Sequence, residues 1–417
     1  VSATADLLDF AAADHRLPPS TRAATLRLLG DTLAVGAAGA SAPGAAGVLA
    51  AVRGWGIGDD ASLLGHRGTL PAPSAAFVNG FNIHCLEWDA VHEGAVVHAM
   101  SVVTAAVAAA CHRRGNVDPE DALTAIAVGV DITAGLGIAA TSPLTFFRPA
   151  IAGTIGAALA VARIDSVVAL AEVLGLAHAA CAGTMQAHVE GSIALPLQIA
   201  NAARAAVAAV DLVKAGLTGP HDALEGPFGH FALFDRGDLS AYTAGLGTRW
   251  LIDEISTKPW PCGRASHGVL GALAAMQADF NAPVAAIEAR VPSLVIRLVG
   301  RPWQADMTSA YARLCLPALA ALMLRDGCID PRAFAALPPP APLTLIDDGN
   351  RDPNALSPQH VVVTLADGRR FERTIPATPG SPGAAYDAAA KVTLARTLAP
   401  HADARIFDAP LDWLIAA

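Results

Sequence analysis

The sequence predicts a mainly α protein: a large all-helical domain, residues 1–257 completed by 384–417, with a smaller α+β lid domain, 258–383, inserted near its C-terminal end. Two observations predict it. Up to about Trp250, Ala- and Leu-rich stretches repeat apolar residues at helical spacing between Gly and Pro breaks. Beyond Trp250, short runs rich in Val and Ile alternate with polar residues, the period of a half-buried strand.

The elements follow in order. Pro18-Pro19-Ser20 opens a helix over Thr21–Ala37 that keeps Leu26, Leu29, Leu33 and Val35 on a broad apolar face. Ser101–Arg113, Pro119–Gly137, Ile151–Ala162, Ser166–Ala182 and Leu195–Ala215 read likewise. In the second part, Val284–Val291, Leu294–Val299, His360–Leu365 and Arg370–Ile375 are expected as strands, the last two joined by an Asp367-Gly368 turn. Helices are expected over Ala310–Asp326 and Asp330–Leu337. Pro376–Pro382 reads as a loop, and Ala384–Leu398 as a helix returning to the first domain. A cleft between two such domains is the default ligand site.

Composition limits the function. With 28 Lys and Arg against 37 Asp and Glu, the net charge of −9 argues against a nucleic-acid binder, which must neutralise phosphates. A mean hydropathy of +0.43 raises the question of a membrane. The longest weakly polar run, Gly94–Cys111, is mostly Ala and Val and carries His98, Ser101 and Thr104; Ala transfers only weakly into lipid, so closely packed core helices are the expectation rather than a span. Six scattered Cys with no CxxC, and no basic start followed by a leucine-type core, lead us to expect reduced thiols and a cytoplasmic protein.

Several familiar motifs fail. His92 and His98 lie six residues apart, so they do not share a helix face as a zinc pair must. Gly135-Leu-Gly137-Ile-Ala-Ala140 matches the dinucleotide fingerprint in letters but lies inside a helical block, where small residues serve helix packing. Two clusters remain. The first, Asn79 to Met100, holds His84, Glu87, Asp89, His92, Glu93 and His98, in a chain only 16% charged. Carboxylate and imidazole at one site can divide the roles of proton acceptor and donor. The second, Thr257 to His267, brings Lys258, Arg264 and His267 to the expected domain junction, where cations suit an anionic substrate.

These clusters resemble those of the MmgE/PrpD family. Asn79-Gly80, His84, Glu87-Trp-Asp89 and His98 follow its first motif, and Lys258-Pro-Trp-Pro-Cys262 its lysine segment. Asp31–Gly39, Leu224–Gly229 and Pro379-Gly-Ser-Pro382 with Lys391 extend the likeness along the chain. The chain departs from the pattern at Glu87, Val91, Arg148, Leu195, Gly263 and Ala318. The resemblance implies a homodimer without metal or organic cofactor, binding a small carboxylic acid and neither nucleic acid nor membrane. It implies a lyase of dehydratase type acting on a small polycarboxylate or hydroxy acid, by proton abstraction next to a carboxylate. Epimerase, isomerase or decarboxylase chemistry on a related dicarboxylate is the alternative, as is a degenerate homologue that only binds a carboxylate. Asp89, His98, His92 and Lys258 are the expected catalytic residues. Glu87, Arg148, Arg264 and His267 are the expected substrate-binding residues, with Arg148 offering a bidentate fork.

Overall fold

The computed structural model describes residues 2–416. Its first part is built from long, Ala-rich helices: Pro19–Gly39, Ala72–His84, Ala99–Arg114, Pro119–Ala139, Arg148–Ile164 and Ala194–Lys214. Alanine loses no side-chain entropy on burial and lets helix backbones approach closely. Pro119–Ala139 shows how the sequence sets such a helix. Asp118 caps it by accepting from the Glu120 and Asp121 amides, Pro119 fits the first turn, and the two acids complement its positive end. With a mean hydropathy of 1.8 it is long and apolar enough to cross a membrane, yet 94% of that window is buried. It packs between Ala99–Arg114 and Arg148–Ile164 as a core helix.

The fingerprint-like glycines lie on this helix, as packing predicted. A Cβ on Gly135 would stand 2.3 Å from the Tyr242 ring, and one on Gly137 would stand 2.6 Å from the Ala95 carbonyl oxygen. Helix Ala72–His84, whose Gly and Asn residues hide it in the sequence, is enclosed by Ala194–Lys214, Ala99–Arg114 and Pro19–Gly39. Every one of its residues but Pro73 is buried, and its Asn79 and Asn82 hold the backbone around Leu64.

The second part centres on a four-stranded sheet in the order Leu343–Asp347, Val284–Val291, Gln359–Leu365, Arg370–Ile375. The first pair is parallel and the others antiparallel. Strand Gln359–Leu365 alternates buried and partly exposed residues, while Arg370, Glu372 and Arg373 leave a charged outer edge. Helix His267–Met276 covers the last two strands. Helix Ala388–Leu398, capped by Asp387, returns to pack on Pro19–Gly39.

Three expectations change. Leu294–Val299 is not a strand but part of helix Ser293–Val299. Pro292 stops the preceding strand, and a six-residue apolar run broken only by Arg297 is too short for its period to separate strand from helix. Ala310–Asp326 is divided into Ser309–Ala312 and Leu316–Asp326, because Pro317 suits only a helix start. Asp330–Leu337 is reduced to a tight 3₁₀ turn at Pro331–Ala335. The class expected, mainly α with an α+β domain, holds.

Candidate active site

The site grows from one stretch of backbone, residues 84–98. His84 ends helix Ala72–His84, and Glu87 takes a left-handed conformation, φ 52°, that turns the chain back. Val91 exchanges backbone hydrogen bonds with Ser256. His92 and Val97 then pair across a tight turn whose Val96 also has positive φ, 54°. A β-branched residue in that region is strained. The two turns set His98 directly before helix Ala99–Arg114, whose Ser101 hydroxyl donates to Asp89.

Asp89 is the hub. Its Oδ2 lies 2.9 Å from Nδ1 of His84 and 2.9 Å from Nδ1 of His98. The two imidazole rings meet edge to face, with centroids 4.7 Å apart. Lys258 is fully buried. Its Nζ donates to the Glu87 carbonyl at 2.8 Å and to the Glu87 carboxylate at 3.2 Å, and lies 3.7 Å from Asp89 Oδ1. His84 Nε2 has no hydrogen-bond partner and lies 3.5 Å from Glu87 Oε1.

Burial and charge divide the two histidines. Burial opposes the charged form of His84, but Asp89 and Glu87 outweigh it and raise its pKa. For His98 burial prevails, with help from Lys258, and the pKa falls despite Asp89. Burial also works against the carboxylates. The imidazoles and Lys258 nevertheless hold Asp89 well below its usual range, and Lys258, His84 and His98 do the same for Glu87. One imidazole is therefore biased towards the acid form and its neighbour towards the base form.

This group borders a partly open cavity. His84, Glu87, Glu93, His98, His188 and Arg264 supply its polar lining, and apolar side chains the rest. Of the residues expected at the site, Glu87, His98 and Arg264 line the cavity, and Asp89 and Lys258 contact them from behind. His84 lines it as well; its place in the first cluster signalled it, although the first expectation gave it no role. His188 had no sequence signal, being an isolated histidine brought in by helix Gln186–Glu190.

The other expected residues are placed elsewhere. Arg148 is buried but turned away, its guanidinium paired with Asp235 at 3.0 Å and donating to the Ala95 and Ser142 carbonyls. His92 also faces away, because side chains alternate along extended backbone and its neighbours Val91 and Glu93 face the cavity. Its Nδ1 accepts from the Ala95 amide, shaping the turn, and Nε2 lies 3.6 Å from Glu254. His267 is fully buried outside the cavity, against the Gly263 carbonyl and the Trp260 ring. Arg264 serves as a clamp. It binds Glu93, Ser381 and the carbonyls of Thr257, Thr378 and Pro379, while Glu93 also accepts from Ser256.

Among the described residues, His84, Asp89 and His98 form the one group with three metal-ligand atoms within 4.8 Å of one another. The Lys258 ammonium beside Asp89 already supplies the positive charge a metal ion would bring there. The set suits proton transfer better than coordination.

The family model of the MmgE/PrpD N-terminal domain matches residues 7–242. Human cis-aconitate decarboxylase is 28% identical over 293 residues, covering 64% of this chain and 58% of that protein. The mouse cis-aconitate decarboxylase is 28% identical over 296 residues, 64% of this chain and 57% of its own. A cis-aconitate decarboxylase-like protein of Aspergillus oryzae is 26% identical over 273 residues, covering 61% and 56%. The chain thus spans less than two thirds of the length of these curated relatives. With the match running through every helix that builds the His84–His98 turn, the chain belongs to the MmgE/PrpD family.

Proposed function

We propose that the chain is a lyase of dehydratase type, acting on a small carboxylic or hydroxy acid by proton abstraction next to a carboxylate. The observation that carries this reading is the Asp89 carboxylate shared by His84 and His98, two imidazoles that line one cavity. With its Nδ1 turned to Asp89, neutral His98 offers Nε2 to the cavity as a base. It takes the proton from the carbon beside the substrate carboxylate, and the electron pair left there forms the new double bond. The carbon–oxygen bond on the neighbouring carbon breaks, and the leaving hydroxide takes the proton of cationic His84, so unsaturated acid and water are the products. The charge developing on the substrate carboxylate is met by the positive field of the cations around the cavity, of which Arg264 is in its lining.

Decarboxylation is the second reading, favoured by the relatives named as cis-aconitate decarboxylases. There the carbon–carboxylate bond breaks, CO₂ leaves, and the carbanion takes a proton from an imidazole of the same pair. Both use side chains alone, and a homodimer is part of the proposal. The test is a panel of hydroxy and unsaturated acids incubated with the protein in D₂O and followed by proton NMR. Alkene or hydrated product supports the lyase. Release of CO₂ supports the second reading, and deuterium uptake without either makes the chain an epimerase. A His98→Gln variant that keeps full turnover would remove His98 from the mechanism.

A further inference from the structure

An arginine beside the cavity has no anion of its own. His188 lines the cavity, and its Nδ1 lies 3.4 Å from Nη2 of Arg301, which also donates to the His188 carbonyl. Nη1 of Arg301 is buried with no hydrogen-bond partner. Among the described residues no Asp or Glu pairs with this guanidinium; Glu87, another lining residue, acts on it through space without a hydrogen bond. Tyr311 holds both partners in place. The Arg301 Cζ lies 4.7 Å from the centre of its ring, and its hydroxyl donates to the Pro302 carbonyl at 2.9 Å. Gly191, which ends the turn of helix carrying His188 in a left-handed conformation, φ 63°, presses on the same tyrosine. A Cβ there would stand 2.6 Å from the Tyr311 Cα.

A guanidinium only donates, so the Nδ1 that faces it carries the lone pair, and the ring proton is assigned to Nε2. Burial, and after it Arg301, lower the His188 pKa to about 4, with Glu87 opposing and Arg297 assisting, so the ring is neutral at neutral pH. With Nδ1 turned to Arg301, Nε2–H is the polar group that His188 offers the cavity. We propose that a substrate carboxylate is received there, by Nε2–H of His188, with the unpaired charge of Arg301 behind it as the positioning group. The proposal rests on the reading of the ligand as a carboxylic acid. It adds a binding point separate from the proton-transfer group of His84, Asp89 and His98. The hydrogen bond from Arg301 into Nδ1 strengthens the N–H on the other side of the ring. The guanidinium charge, having no counter-ion, favours an anion over a neutral ligand of the same shape.

The experiment uses the full chain, with malate, 3-hydroxybutyrate and the neutral 3-hydroxybutyramide as probes. Titration calorimetry at neutral pH compares the wild type with His188→Leu, His188→Gln and Arg301→Gln. We expect both acids to bind His188→Leu and Arg301→Gln about tenfold to a hundredfold more weakly than the wild type, the worth of one hydrogen bond to a charged group. His188→Gln keeps a donor and should recover part of the loss, and the amide should bind Arg301→Gln as it binds the wild type. Arg301 is only half-buried, so Arg301→Gln keeps the test open if His188→Leu does not fold. In protein labelled with ¹⁵N-histidine, NMR should show the His188 ring neutral with its proton on Nε2, and its pKa should rise in Arg301→Gln. A proton on Nδ1 overturns the inference, as does an equal loss for acid and amide. Acids that bind both variants as tightly as the wild type overturn it and leave the acid–base reaction standing. The expected losses without proton exchange beside the carboxylate in D₂O remove the reaction and leave the carboxylate site. A wild type that binds neither acid overturns the inference too.

Discussion

Removing the cation beneath the site gives the sharpest test of its electrostatics. In Lys258→Met the Glu87 and Asp89 carboxylates lose an ammonium 3.2 and 3.7 Å away. At an effective dielectric near 20, those distances correspond to about 5 kcal/mol to Glu87 and slightly less to Asp89. The cost of burying the ammonium offsets much of this. Truncating one member of such a cluster is therefore expected to cost about 3–5 kcal/mol, chiefly through the unpaired carboxylates left behind. Adding Glu87→Gln to Lys258→Met should restore about 2 kcal/mol of that loss. The pH dependence fixes the sign. Lys258 helps hold Glu87 below its ordinary pKa. In the wild type this carboxylate contributes stability above its unfolded pKa, and the contribution is lost as pH falls through the depressed folded value. Without Lys258 the folded pKa rises, because only His84 and His98 are left to oppose burial and Asp89. The destabilisation is then largest at neutral pH and shrinks as the medium is acidified towards the carboxylate range. Urea unfolding of the four proteins of the cycle, followed by far-ultraviolet circular dichroism at two pH values, measures both effects. A coupling below about 0.5 kcal/mol with a pH-independent deficit would refute the claim that Lys258 neutralises these carboxylates.

Other consequences are open to direct measurement. The kcat/KM profile should be bell-shaped: it rises as His98 loses its proton with a midpoint below 6.5, and falls as His84 loses its proton with a midpoint above 6.5. Asp89→Asn should move the alkaline limb down, and an unmoved limb would count against His84 as the acid. Arg148→Met should cost about 3–5 kcal/mol of stability by stranding buried Asp235, with KM for a bound acid within about twofold of wild type. A large rise in KM at unchanged stability would return Arg148 to the binding site. Gly137→Ala drives a methyl into Ala95 and should cost about 1–3 kcal/mol, lowering kcat because the displaced turn carries Val96 and His98. Full activity in that variant would show that the turn tolerates movement.

How much of this was legible in the sequence depended on distance along the chain. His84, Glu87, Asp89 and His98 stand close together in a chain with few charges, so one short stretch signalled them, and Lys258 stood out at the junction. Arg148 misled because its partner Asp235 lies 87 residues away and nothing local marks the pair. His92 misled because a two-residue bridge to Val97 decides which way it faces, and so short a bridge has no pattern of its own. Helix Ala72–His84 was hidden by its Gly, Asn and Phe residues, which are poor helix formers held in place by complete burial. Leu294–Val299 failed for the opposite reason, since a β-branched run scores as a strand until Pro292 and the packing of Leu294 and Val299 turn it into a helix.

The Arg264 clamp bears on the order in which a growing chain acquires its cavity. His84 to His98 leave the ribosome early, together with most of the helices that hold them. Glu93, however, finds Arg264 only 171 residues later, and Arg264 is itself satisfied by Thr378, Pro379 and Ser381, more than a hundred residues further on. Lys391 adds a last stitch, from Asp31 to the Trp88 carbonyl. The nascent chain thus carries its histidines and carboxylates on an unfinished wall until residues 378–391 arrive. Domains generally fold as units during synthesis, N-terminal first; here the helical part is completed only once residues 378–391 have emerged.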